Sequence, residues 1–243
     1  MSVPSPPWAP ERKAVRPRLS AEAIVAAGLE LLAADGIAAV TMRAVAAKVG
    51  TGAASLYAHV RDKGELHLLM LDEVIGEVEL PEADPARWRE QIKEVSRSLH
   101  AAMTRHPGIA LVNMAHVPTG PNSLRCTEGL LAILVAGGVS ASTAGLAVDL
   151  LTLYPTAVAF ERSIWERRPE LAERSVDWVE AASQLRQYFS SLPTDQFPLL
   201  ASMAMAVTGG GGETRFEFGL EVLVAGLDAL RDWEPPELST AEK

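Results

Sequence analysis

Residues 41–63 read TMRAVAAKVGTGAASLYAHVRDK, and how these positions are read decides the fold. Met42, Val45, Ala46 and Val49 fall on one face at helical spacing. Thr41 is a side-chain acceptor suited to cap a helix that starts at Met42. Gly50 stands just past the end of that helix, where a left-handed residue is wanted. A second short helix, over Gly52 to Tyr57, then carries Leu56 toward the same core. Two short helices joined by a glycine-containing turn form a helix-turn-helix pattern, whose second helix can enter a DNA major groove.

The outward positions of the second helix are small or hydrogen-bonding, which lets a backbone lie close to base edges and phosphates. Arg43, Lys48, Arg61 and Lys63 edge it with the positive charge that phosphate neutralisation requires. The expected DNA contacts are Arg43, Lys48, Thr51, Gly52, Ala53, Ser55, Tyr57, His59 and Lys63. On spacing alone, an ordinary helical hairpin with solvated Lys and Arg fits the same stretch.

Charge is unevenly distributed. The net value is −9 over 243 residues, but Arg12 to Met70 carries +3 while Leu71 onward carries −11. A basic end on an acidic body is compatible with nucleic-acid docking at one pole. Hydrophobic residues make up 48% of the chain with few aromatics, a balance that favours helices. No apolar run reaches the roughly 18 residues of a membrane span, so no membrane partner is expected. A single cysteine, Cys126, excludes an internal disulfide, and cytoplasmic residence is the default expectation.

Residues 19–74, from LSAEAIVAAGLELLAADGIAAVTM through KVGTGAASLYAHVRDKGEL to LDEV, resemble the N-terminal domain of the TetR family of bacterial repressors. The run LYAHVRDKGEL, residues 56–66, matches the family pattern LYxHVxxKxxL. RFEFGLEVLVAGLDAL, residues 215–230, is similar to the end of the tetracycline-repressor-type C-terminal domain. The resemblance implies an all-α fold, with an N-terminal three-helix helix-turn-helix domain and a larger helical effector-binding and dimerisation domain. It also implies a repressor that binds a palindromic double-stranded DNA operator as a homodimer and is released by a small molecule. No enzyme activity and no cofactor are expected.

In order, residues 1–18 read as a disordered, proline-rich basic arm and 19–66 as the DNA-binding domain. Residues 67–234 read as the effector-binding and dimerisation body, and 235–243 as a flexible tail. Asp62 caps a fourth helix with Glu65 in a capping-box position. A helix over 87–105 follows, with Trp88, Ile92, Val95, Leu99 and Met103 at helical spacing. A long helix runs from Ser142 to Arg167 with Pro155 inside, where a kink or local break is expected. A Met-rich helix is expected over 195–206, a flexible TGGGGET linker after it, and a last helix over Thr214 to Trp233.

Gly219 and Gly226 in the last helix suggest a close helix–helix approach, within the chain or between copies. The resemblance implies the second, through the long and last helices. The expected dimerisation residues are Val148, Leu151, Phe216, Gly219, Leu220, Leu223, Gly226 and Leu227. For a largely apolar effector the candidates are His100, Met103, Asn113, Met114, His116, Tyr154 and Phe160, each also readable as core or surface. His100, His106 and His116 are spaced six and ten apart across a Pro-Gly break, so no metal site is expected. The tetracycline repressor's drug and magnesium ligands cannot be matched residue by residue around Glu79 and Val112 to Pro121. Tetracycline is therefore not expected.

Two other classes compete with the regulator: a helical enzyme with an apolar pocket, and an interaction module without DNA binding. No nucleophile–base spacing supports the enzyme, and GGGG at 209–212 lacks the Lys-Ser/Thr of a phosphate loop. Basic residues around the second helix argue against the interaction module.

Overall fold

The computed structural model of the chain describes residues 19–166 and 178–234; the N-terminal arm, the segment 167–177 and the C-terminal tail lie outside them. Four helices build the N-terminal head: α1 (Ala21–Asp35), α2 (Met42–Lys48), α3 (Ala53–Leu56) and α4 (Lys63–Gly76). Ser20 caps α1 through the Ala23 N–H at 3.3 Å, and Thr41 caps α2 through the Ala44 N–H at 3.1 Å. Ile24, Leu32, Val45, Leu56, Val60 and Leu66 are buried together and form the core of the head. Asp62 caps α4 by accepting the Glu65 N–H at 2.8 Å. Glu65 does not close the expected box onto Asp62; its carboxylate accepts the N–H of Arg61, one residue earlier.

The body is built from α5 (Trp88–Arg105), α6 (Ile109–Ala115), α7 (Pro121–Ala136), α8 (Ala141–Glu166) and a last helix, α12 (Gly212–Ala229). Between the last two lie α9 (Trp178–Ser190), α10 (Pro198–Ser202) and α11 (Ala204–Thr208). The single Met-rich helix expected there is broken at Met203 into two short pieces. Trp88, Ile92, Val95, Leu99 and Met103 are all buried, as their spacing predicts. Full burial of each such side chain contributes about 1.5–3 kcal/mol. Three ion pairs then clamp α5 to α12: Arg89–Asp228, Lys93–Glu221 and Arg97–Glu217.

Helix α8 packs along α5, and its Ala144, Ala147, Leu151 and Ala159 are buried in the core. Of the kink or local break expected at Pro155, the break does not occur, because the helix continues through it. Pro155 has no N–H to donate to the preceding turn, and beside it the Thr156 hydroxyl donates to the Thr152 carbonyl at 2.7 Å. By length and composition Ala141–Ile164 could cross a membrane, although Asp149, Glu161 and Arg162 keep it from being one unbroken apolar run. Its apolar residues are instead divided between the core, the outward Leu146, Leu150 and Ile164, and the wall of a cavity, which Val148 and Leu153 line.

The glycine-rich linker is shorter than expected, because Gly211 already caps α12 and Gly212 is its first residue. Gly210 makes the turn with φ of 77°, a left-handed conformation that glycine adopts without strain. Gly219 and Gly226 have different surroundings. A Cβ on Gly219 would overlap the Tyr154 hydroxyl of α8, whereas one on Gly226 would meet open space. The close approach at Gly219 is therefore an intramolecular crossing of α8 and α12.

Some of the expected dimerisation residues are corrected accordingly. Leu151, Phe216, Leu220 and Leu227 are buried in the chain's own core, and Leu223 and Gly226 are half-buried. On α12 the outward apolar positions are Phe218 and Val222. Replacing Gly219 with Ala should destabilise the fold by about 1–3 kcal/mol through overpacking against Tyr154. Gly226→Ala should be neutral or stabilising, and urea denaturation of the two variants checks the contrast.

Candidate functional site

Helix α2 ends in a two-bond cap that sets the angle of α3. Gly50 takes φ of 72°; its N–H donates to the Ala47 carbonyl at 3.1 Å, and the Thr51 N–H donates to the Ala46 carbonyl at 2.9 Å. This is the Schellman arrangement, and it works because glycine enters the left-handed region freely. Helix α3 is one turn, shorter than the Gly52–Tyr57 expected, and continues as turns in which the His59 and Val60 N–H groups both donate to the Leu56 carbonyl. Leu56 and Val60 point inward as anchors, leaving Ser55, Tyr57 and His59 exposed on the opposite side. Gly52, Arg43 and Lys63 are exposed as well, while Thr51 and Ala53 are half-buried.

The cations around this turn are not equivalent. Lys48 is engaged by Glu30 of α1 at 2.7 Å, so it is less free for phosphate than the sequence suggests. Arg43 and Lys63 form no ion pair among the described residues. Arg61 pairs with Glu65 at 3.1 Å while its side chain stays largely in water, a contact of small net strength. Tyr57 is 55% exposed, an expensive position for an aromatic unless something covers it.

Helix α4 joins this end to the body. Lys63 opens it, and near its other end Asp72 is buried against the N-terminus of α7. Its carboxylate accepts the Ser123 N–H at 2.9 Å, the Ser123 hydroxyl at 2.9 Å and the Asn122 N–H at 3.3 Å. Arg125 of α7 returns the contact, donating to the Gly76 and Val78 carbonyls at 3.3 and 3.4 Å as α4 runs out. Each helix thus supplies a side chain that satisfies the other's unpaired backbone groups. A third tie follows: Glu77 holds Arg105 at 2.6 Å and His106 at 2.6 Å. Partial burial pushes the Glu77 carboxyl up, but hydrogen bonds from Arg105 and His106 outweigh it and hold the pKa below its ordinary value. At the head end of the same helix, His67 has a lowered pKa, first from burial and then from the charges of Lys63 and His116.

Behind the α4–α7 junction is a cavity of about 540 Å³. Its wall is formed by Ile75 of α4, Leu99 of α5, the segment from Asn113 to Thr119, the first turns of α7 and one face of α8. Of the effector candidates, Asn113, Met114 and His116 line it. The other four do not. Met103 is core; Phe160 packs half-buried against the core. His100 stacks on Phe216 at 4.3 Å and shares its Nδ1 with the Pro155 carbonyl at 3.2 Å. Tyr154 donates to the Arg215 and Phe216 carbonyls at 3.0 and 3.1 Å, locking α8 to α12.

Val148, expected at the dimer face, lines the cavity instead. The lining face of α8 also includes Gly145, Asp149, Thr152 and Thr156, none of which the sequence reading singled out. A signal was present: these four small or polar residues recur at helical spacing along an otherwise apolar helix.

A recognition turn anchored from behind, edged by cations and carried on a helix that also walls a cavity, defines a DNA-binding regulator with a small-molecule site. Residues 24–69 match the family described as bacterial regulatory proteins, tetR family, and residues 80–231 match the tetracyclin repressor-like C-terminal domain. The chain belongs to the TetR family of transcriptional regulators. It is 31% identical over 226 residues to an HTH-type transcriptional regulator of Saccharopolyspora erythraea, covering 93% of this chain and 92% of that one. It is 29% identical over 216 residues to the HTH-type transcriptional repressor DrrR1 of Streptomyces coeruleorubidus, covering 88% of this chain and 79% of that one. Among solved structures, the TetR family protein ActR of Streptomyces coelicolor in complex with actinorhodin superposes with a TM-score of 0.79. That pair is 39% identical over 88% of this chain and 97% of ActR.

Replacing Tyr57 with Ala should abolish sequence-specific DNA binding while changing stability by no more than about 0.5 kcal/mol, as expected for an exposed side chain. Lys63→Ala should weaken binding to all sequences alike and lower the salt slope by about 1. Gel shifts across a salt series, with a urea melt as control, separate the two. The Glu77 contact stabilises fully above the ordinary carboxylate range and fades as pH falls through the depressed value. Glu77→Gln should therefore flatten the acid limb of the Tm–pH curve.

Proposed function

We propose that the chain is a homodimeric repressor. Two copies would read a palindromic operator with one α3 each, and an organic small molecule in the cavity would release them. The observation that carries this reading is the dual position of α4, which presents Lys63 at the recognition end and Ile75 in the cavity wall. An effector acts only through a difference in affinity for two arrangements of the heads. A ligand pressing on the first turns of α7 meets α4 directly, through the Asp72–Ser123 and Arg125–Gly76 contacts. Relatives named as repressors, and the complex of ActR with actinorhodin, support both halves of the reading.

The dimer rests on the outward faces of α8 and α12. Leu146, Leu150, Phe218 and Val222 are each between 48% and 69% exposed, each pair one helical turn apart. Covering each fully would contribute about 1.5–3 kcal/mol. Two such helices from each subunit would pair as a four-helix bundle. An enzyme reading gains little from the cavity: its one thiol, Cys126, is buried, and burial pushes its pKa up, away from the reactive thiolate. Binding to chromosomal DNA would place the protein in the cytoplasm.

Gel shifts with the DNA flanking the protein's own coding region test the reading. Binding that weakens steeply with salt and resists competition by unrelated DNA supports it; equal competition by unrelated DNA overturns it. The double variant Leu150→Glu, Val222→Glu should sediment as a single chain and lose about a hundredfold or more in operator affinity, because half-site avidity is lost. A dimer that survived both charges would move the interface elsewhere.

A further inference from the structure

We infer that the cavity takes an organic cation: a mainly apolar ring framework bearing an amine that is protonated at neutral pH. The inference rests on the cavity being the effector site and adds the charge of its occupant. Among the lining residues Asp149 is the one carboxylate, and neither Lys nor Arg is present. Asp149 is exposed on α8, and its carboxylate makes no hydrogen bond or ion pair among the described residues. A ligand seated over it gains a charge-assisted contact if it supplies a positive charge. A neutral or anionic occupant would instead leave the carboxylate partly desolvated and uncompensated.

The hydrogen-bonding groups of the wall point the same way. Several hydroxyl protons are already used: Ser123 donates to Asp72 at 2.9 Å, Thr152 to the Val148 carbonyl at 3.0 Å, and Thr156 to the Thr152 carbonyl at 2.7 Å. Asn113 directs its amide N–H to the Thr156 hydroxyl at 2.9 Å, which leaves its carbonyl oxygen as a free acceptor. His116 Nδ1 lies 3.0 Å from the Val112 carbonyl. A carbonyl only accepts, so Nδ1 carries a proton and this contact turns the ring edge toward α6. Beside Asp149, the Asn113 carbonyl is thus a second acceptor open to a protonated amine. The floor of Ile75, Leu99 and Cys126 is buried and apolar, suited to the rings. The negative balance of the body, −11 from Leu71 onward, adds a field that draws cations in and keeps anions out.

Rhodamine 6G and fluorescein share a xanthene framework and differ in charge, cationic against anionic, so fluorescence-polarisation titrations of the full chain test the inference. Rhodamine 6G should bind at least about tenfold more tightly than fluorescein, and Asp149→Asn should cost it about tenfold. Asp149→Lys should reverse the preference. Equal binding of the two dyes, unchanged rhodamine 6G affinity in Asp149→Asn, or failure of both dyes to bind overturns the inference. The dye-free operator gel shift on the same preparation keeps the two readings apart. Operator binding without cation preference removes only this inference, and cation preference without operator binding removes the repressor reading.

Discussion

The reciprocal capping of α4 and α7 is the constraint on which the rest depends. Asp72 satisfies the first N–H groups of α7, and Arg125 satisfies the last carbonyls of α4. Buried polar groups are costly to leave unpaired, so the two helix ends are held to each other more firmly than apolar contact alone would hold them. Gly120 fits the same device, since a Cβ there would overlap the Asp72 carboxylate. The loop ahead of α7 is cavity wall, and the far end of α4 carries Lys63. Cavity and recognition turn are thus joined through one helix by hydrogen bonds of defined direction.

Helix α8 shows how one element serves three surroundings. Ala144, Ala147, Leu151 and Ala159 are core; Gly145, Val148, Asp149, Thr152, Leu153 and Thr156 line the cavity; Leu146 and Leu150 face outward. Small residues on the first face let two long helices approach closely. Polar residues on the second are tolerated because their hydroxyls back-bond to the helix's own carbonyls. The third face is too apolar to be left in water without a reason, and the proposed symmetric partner would supply one.

Local signals were the legible ones. Ser20, Thr41 and Asp62 cap α1, α2 and α4 as their side chains suggest, and Gly50 turns the chain where it must. These contacts span only three or four residues, so short-range chemistry determines them. The cavity was only partly legible: Asn113, Met114 and His116 were found, while His100 and Tyr154 proved to be structural clasps and the α8 face was missed. Polar and aromatic residue types attract attention in a sequence, but whether they line a void depends on the elements stacked opposite them.

The sequence by itself determined the all-helical architecture, the recognition turn and the family, because periodicity, capping residues and the LYAHVRDKGEL run are local properties. Only the tertiary structure decided which stripe of α12 faces inward. Phe216, Leu220 and Leu227 alternate around the helix with Phe218 and Val222, and both sets are apolar. A helix apolar on two sides has no preferred direction until α5 and α8 cover one of them. Gly219 against Tyr154, and the ion pairs from Arg89, Lys93 and Arg97, fix which one that is.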